Sequence, residues 1–248
     1  MVNSLDEVIE SIQSIVKRSE LQKARFGYFA SLYLRMTQSV KLAIINNRFE
    51  DNRRMEQLVV VFANRYLVAF DSWTNTKISS LSWQLAFNEA SKDAISVIQH
   101  LLCGINAHVN LDLGIAAAEV CPGSKIYNLQ NDFNLINKVI SDLVDEVQLK
   151  LEKISLPMRW LDRIGKDHDE QIANFSMKMA RNAAWNVALD MAKLSKEVQP
   201  KYIYNLDKKT SQFGRLIIQP GWIANLVLKP VKWFEPSNSA EIIKILNS

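Results

Sequence analysis

Glycine and proline are scarce in this chain, seven and six among 248 residues, roughly half to a third of average usage. Turn chemistry is correspondingly limited, which favours long helices over the many tight turns of an all-β protein. Cysteine is scarcer still, with Cys103 and Cys121 alone. No disulfide framework is expected, and a thiol inside an apolar run, as Cys103 is, behaves as a small core residue suited to a reducing, cytoplasmic setting. The N-terminus has early acids and no basic-then-apolar leader pattern, and no uncharged apolar stretch approaches the roughly 18 residues of a spanning helix, so no stable membrane insertion is expected. Also missing are a Gly-rich phosphate loop, a GxSxG elbow, CxxC, HExxH, an EF-hand loop and a Glu-x-x-His pair, which sets aside the chemistries those motifs carry.

What is present is a composition able to bury a core: 48% apolar, 23% charged, net charge +4. The basic residues are scattered and matched by acids, with Arg53-Arg54 and Lys208-Lys209 only short pairs, so nucleic acid is not an expected partner. Ser4 and Glu7 have capping-box spacing and open a helix from about Leu5 to Arg18. Apolar residues at helical intervals predict further helices from Phe26 to about Asn46, Arg54 to Asp71, Trp83 to Ala90, Ala94 to Val120, Phe133 to Ile154 and His168 to Lys196, the last closed by Pro200. Residues 201–248 carry more proline and aromatics. They are expected to form an irregular tail of short helices or extended pieces packed against the bundle, with Leu216 to Phe234 alternatively lying on a membrane or covering a cavity as a lid. The expected architecture is a single all-α domain over 1–248, a multi-helix bundle of about eight helices around Ala94 to Val120 as its buried centre.

That central run contains the residues that most need explaining. Asn106, His108, Asn110 and Asp112 occupy alternate positions inside the most apolar segment of the chain. On a straight α-helix, turning about 100° per residue, His108 and Asp112 share one face and the two asparagines fall nearly opposite. One reading is a satisfied network in which the asparagines tie the helix to its neighbours. A second is a His-Asp pair in a low-dielectric pocket, tuned for acid or base work. A third is metal ligation by His108 and Asp112 with further ligands from elsewhere.

Arg54 to Glu56, Phe62 to Leu67, Gln99 to Leu102 and Gly104 to Ala116 resemble the shared blocks of an uncharacterised, mainly bacterial domain-of-unknown-function family with a GINAHxNxDLG core. The resemblance runs from about Gly27 to Ala192. It implies a stand-alone soluble helical chain and carries no reaction with it. Separately, His108, His168, Asp169 and Asp190 resemble, in order alone, the metal ligands of HD-type phosphohydrolases, which are also all-helical.

The functional expectation is a small-molecule enzyme of isomerase, lyase or cyclase type acting on a largely apolar metabolite, with His108 as acid or base and Asp112 orienting it. Asn64, Arg65, Asn106, Asn110 and Arg181 are the expected substrate-binding residues. Asn64 is expected to pair with the Asn106/Asn110 face, and Arg65 either to neutralise a buried carboxylate or to clamp an anionic substrate. No cofactor is favoured. A metal-dependent hydrolase using a divalent ion on His108, Asp112, His168 and Asp169 is one alternative, and a non-catalytic carrier of an apolar ligand is another.

Overall fold

A computed structural model describes residues 1–155 and 177–248 of the chain. Among these the structure is helical, with no strand: α1 Leu5–Gln22, α2 Phe26–Ile45, α3 Asn52–Thr76, α4 Leu81–Ala90, α5 Val97–Ile105, α6 Gly114–Val120, α7 Gln130–Ile154, α8 Met177–Lys193, α9 Gln199–Ile218, α10 Trp222–Trp233 and α11 Ser239–Asn247. The all-α class is as expected. The count is higher than the expected number of about eight because α5 and α6 are the two ends of one rod, and because the tail supplies α10 and α11 in place of irregular chain.

Local chemistry explains where these helices begin and end. The Ser4 hydroxyl accepts the Glu7 N–H at 3.2 Å, and Glu7 in turn accepts the Asn3 N–H at 2.7 Å. The helix expected to end near Arg18 continues to Gln22, with the Ser19 hydroxyl satisfied by donating to the Ile15 carbonyl at 2.6 Å. Pro200 lies in the first turn of α9 rather than ending the helix before it. A missing N–H costs nothing at that position. Three helix starts are secured from distant carboxylates. Asp132 accepts the Glu50 and Asp51 N–H groups and the Arg54 guanidinium, Asp207 accepts the Leu81 and Ser82 N–H groups, and Glu235 accepts the Val97 N–H at 2.6 Å. Each satisfies helix-end donors that would otherwise be orphaned.

The rod Val97–Val120 is the centre of the structure. It packs against α2, α3, α4, α8 and α9. By length and composition it is apolar enough to cross a membrane, although it carries Asp112 and Glu119, and 83% of its most apolar window is buried inside the structure. Its middle, Asn106–Leu113, is π-helical, so the straight α-helix assumed from spacing is replaced by a wider turn with i→i+5 hydrogen bonds. Glycines flank this segment where neighbours approach closely. A Cβ on Gly104 would collide with the Phe29 ring, and one on Gly114 would lie 2.5 Å from the Ala184 carbonyl oxygen of α8. In the tail, α10 buries Leu228 and Val231 but leaves Trp222 and Trp233 75% and 87% exposed.

Candidate functional site

The π-helical segment directs its polar side chains two ways. Toward α9, the Asn106 amide donates to the Thr210 carbonyl at 2.9 Å, and its oxygen accepts from Asn110 at 2.9 Å. This pair ties the rod to α9 and stands apart from the rest of the candidate site. Toward α3 and α4, the Asp112 carboxylate, 2% exposed, accepts Arg65 Nε–H at 2.8 Å on one oxygen and Trp83 Nε1–H at 2.7 Å on the other. Such charge-assisted bonds are the strong ones in a low-dielectric setting. His108 Nδ1 lies 3.6 Å from the second oxygen, beyond hydrogen-bonding distance but close enough to be polarised.

The His108 imidazole is enclosed by rings. It stacks on Phe62 with centroids 3.6 Å apart and an interplanar angle of 8°, while Tyr33 meets it edge-on at 4.4 Å and Phe29 at 5.8 Å. Neither imidazole nitrogen has a hydrogen-bond partner among the described residues, and the hydroxyls of Tyr33 and Tyr66 have none either. Buried polar atoms are almost always satisfied, so this cluster is unusual. Burial holds the His108 pKa below the ordinary histidine value, against the opposing pull of Asp112, and leaves the ring neutral at pH 7. Burial also raises the pKa of both tyrosine hydroxyls.

Two cavities meet this pair from different flanks of α3. An open cleft of about 870 Å³ is lined by Arg65, Asp112, Trp83 and Asn64, with apolar walls from Val60, Val68 and Leu111. A narrow inner cavity of about 70 Å³ is lined by His108, Tyr33, Phe62 and Arg181, and its other walls are almost wholly apolar. Asp112 thus faces the larger space and His108 the smaller. Among the described residues α10 lines neither.

The remaining expected site residues are placed as follows. Asn64 lines the cleft, but its amide is used at both ends by Val2, accepting the N–H at 2.9 Å and donating to the carbonyl at 2.8 Å. Its expected partnership with Asn106 and Asn110 is therefore replaced by a clip on the N-terminal segment. Arg181 is buried, donates to the Phe133 carbonyl at 2.9 Å and lies 4.6 Å from that ring's centroid; burial lowers its pKa to about 10. Asp190 accepts from the Tyr202 hydroxyl at 2.9 Å. His168 and Asp169 lie outside the described residues. Among the described residues no group of three or more His, Cys, Asp or Glu side chains is arranged to hold a metal ion. Trp83 was not anticipated from sequence, although an indole N–H is a donor that must find an acceptor when buried.

No curated protein and no solved structure shows significant similarity to the chain. A family model does match, over residues 5–220, and with that coverage the chain belongs to the family of unknown function DUF5995.

Proposed function

We propose that the protein is a small-molecule enzyme that binds a largely apolar metabolite in the cleft lined by Asp112, and that the Asp112–His108 pair moves a proton on it, with Asp112 facing the ligand and His108 3.6 Å behind it. The observation that carries this reading is an enclosed imidazole with both nitrogens unpartnered, lining a cavity, next to a carboxylate pinned by Arg65 and Trp83. A neutral imidazole accepts a proton readily, and the imidazolium so formed gains a buried counter-charge 3.6 Å away without further movement of Asp112. Isomerisation, elimination and cyclisation of apolar molecules need this type of proton transfer in a site that excludes water. We take the Gly104 to Gly114 run, which supplies both residues, as the segment that marks the family.

Two further parts belong to the same reading. A reducing, cytoplasmic setting is supported by both cysteines being free and buried. The partner is a small hydrophobic molecule rather than nucleic acid or membrane, supported by the scattered basic residues and by the burial of the one long apolar helix. The non-catalytic carrier is the second reading, favoured by the fact that both Asp112 oxygens already accept hydrogen bonds. A metal-dependent hydrolase is less well supported, because a guanidinium 2.8 Å from the carboxylate opposes a divalent cation there.

The test is deuterium exchange. The purified protein is incubated in D2O with a cell metabolite extract and the extract is followed by mass spectrometry. An apolar compound that gains deuterium or changes structure with the native protein, and not with folded His108→Gln, supports acid/base catalysis. Equal turnover by His108→Gln overturns it, and a compound that is retained unchanged assigns the carrier reading.

A further inference from the structure

The open cleft contains a cation, Arg65, of which the proton-transfer reading uses only the inner nitrogen that pins Asp112. Arg65 projects from α3 with its side chain 27% exposed. Among the described residues its only hydrogen bond runs from Nε to Asp112. The two terminal nitrogens are therefore left for the cleft that Arg65 lines. The guanidinium plane is also fixed, because Asp112 is itself held by Trp83 at 2.7 Å. A planar fork immobilised through its inner nitrogen has already lost the rotational freedom that binding would otherwise remove, and it presents two parallel donors.

The surroundings narrow the ligand. Val60, Val61, Val68, Ala69, Ile78 and Leu111 line the same cleft. Polar groups on the wall include Ser79 and Ser80, whose hydroxyls have no hydrogen-bond partner among the described residues. Ser80 stands at the N-cap of α4 without acting as the cap, since Asp207 from α9 accepts the Leu81 and Ser82 N–H groups instead. Its hydroxyl is not consumed by the helix. The charge of the cleft sets a limit as well. Asp112 offsets the Arg65 charge and Glu119 adds a further carboxylate to the lining, so a dianion is repelled more strongly than a ligand carrying a single negative charge.

From this we infer that the cleft is a receptor for apolar carboxylic acids, with the ligand carboxylate held two-pronged by the terminal nitrogens of Arg65 and the hydrocarbon body along the valine-rich wall. Arg65 then serves two carboxylates at once, the protein's own through Nε and the ligand's through the fork. The inference names the substrate class for the site proposed above and rests on that reading only in sharing the cleft. Binding and turnover are separable.

The test is calorimetric titration of the full chain with decanoate, decanol and decyl phosphate, each below its micelle concentration. Decanoate is expected to bind at one site per chain, at least tenfold more tightly than either of the others. Arg65→Gln is expected to bring decanoate down to the affinity of decanol while leaving decanol unchanged. Both readouts are of binding and need no turnover, so failure of the proton-transfer reading leaves this outcome intact. Decanol or decyl phosphate binding as tightly as decanoate to the native protein overturns the inference without recourse to any variant. So does an Arg65→Gln protein, folded by circular dichroism, that keeps native decanoate affinity.

Discussion

Replacing Asp112 by Asn tests the electrostatic centre of the site because the change alters almost no volume and yet breaks two hydrogen bonds' worth of logic. Each carboxylate oxygen accepts one donor, Arg65 Nε–H at 2.8 Å and Trp83 Nε1–H at 2.7 Å. A carboxamide has a single acceptor oxygen, so whichever donor it satisfies, the other faces an NH2 group. A buried donor left without an acceptor costs about 1–3 kcal/mol. Removing one member of a buried ion pair costs about 3–5 kcal/mol, and the partial exposure of Arg65, which regains water, moves that toward the lower end. Together these place the loss at about 2–4 kcal/mol, or a Tm lower by about 10 °C for a chain of this size. Urea unfolding at pH 7, followed by far-UV circular dichroism, measures it. A double-mutant cycle with Arg65→Met should show a coupling of about 1–3 kcal/mol between the two residues. An Asp112→Asn loss under about 0.5 kcal/mol, or simple additivity with Arg65→Met, would refute the reasoning.

Two further outcomes are expected. Gly114→Ala should gain up to about 1 kcal/mol of helix propensity but lose about 2–3 kcal/mol through the 2.5 Å clash with the Ala184 backbone, which no rotamer change relieves, so a variant as stable as the native protein in urea would contradict the close packing of α6 on α8. Stability should also fall with acid, and the sign follows from three groups. Burial depresses His100 to about 3, so below the ordinary histidine value the unfolded chain takes up a proton that the fold does not, costing about 1.4 kcal/mol per pH unit, and the lowering of His108 by burial acts in the same direction. Glu235, raised by burial to about 6, takes up its proton in the fold first and cancels one of these down to the ordinary carboxylate value of 4.5. The net expectation is a fall between pH 6 and 4.5 that steepens by about 1.4 kcal/mol per pH unit in Glu235→Gln; a native urea midpoint that rises over that window, or a Glu235→Gln slope equal to the native one, would be inconsistent with it.

Spacing alone reveals part of this arrangement. His108 with Asp112, and Asn106 with Asn110, are four residues apart, and both pairs do meet, because neighbouring turns of a helix bring such positions together. The burial of the rod followed from its composition, and the two-sided polarity of its middle was visible as alternating polar residues. The π-helical turn was not, since the side-chain pattern fits an α-helix nearly as well and the i→i+5 bonding depends on what the neighbours supply. Long-range partners were equally hidden. Nothing local tells Asn64 to clip Val2, Trp83 to donate to Asp112, or Asp207 to cap a helix that begins 126 residues earlier. In the tail the prolines pointed to short pieces, and the structure makes them helices, with Pro220 preceding α10, Pro230 accommodated near its C-terminal end and Pro236 following it.

The most direct test of the proposed chemistry is the protonation state of His108, read from imidazole nitrogen resonances of 15N-histidine-labelled protein, assigned through His108→Gln and titrated from pH 8 to 5 with and without decanoate. The expected result is a His108 ring that takes up its proton below the ordinary histidine value in the free protein, owing to its burial, and whose resonances move when the ligand fills the adjacent cleft. A His108 ring that titrates near 6.5 as in a free peptide, and is unaffected by ligand, would contradict an enclosed acid/base pair.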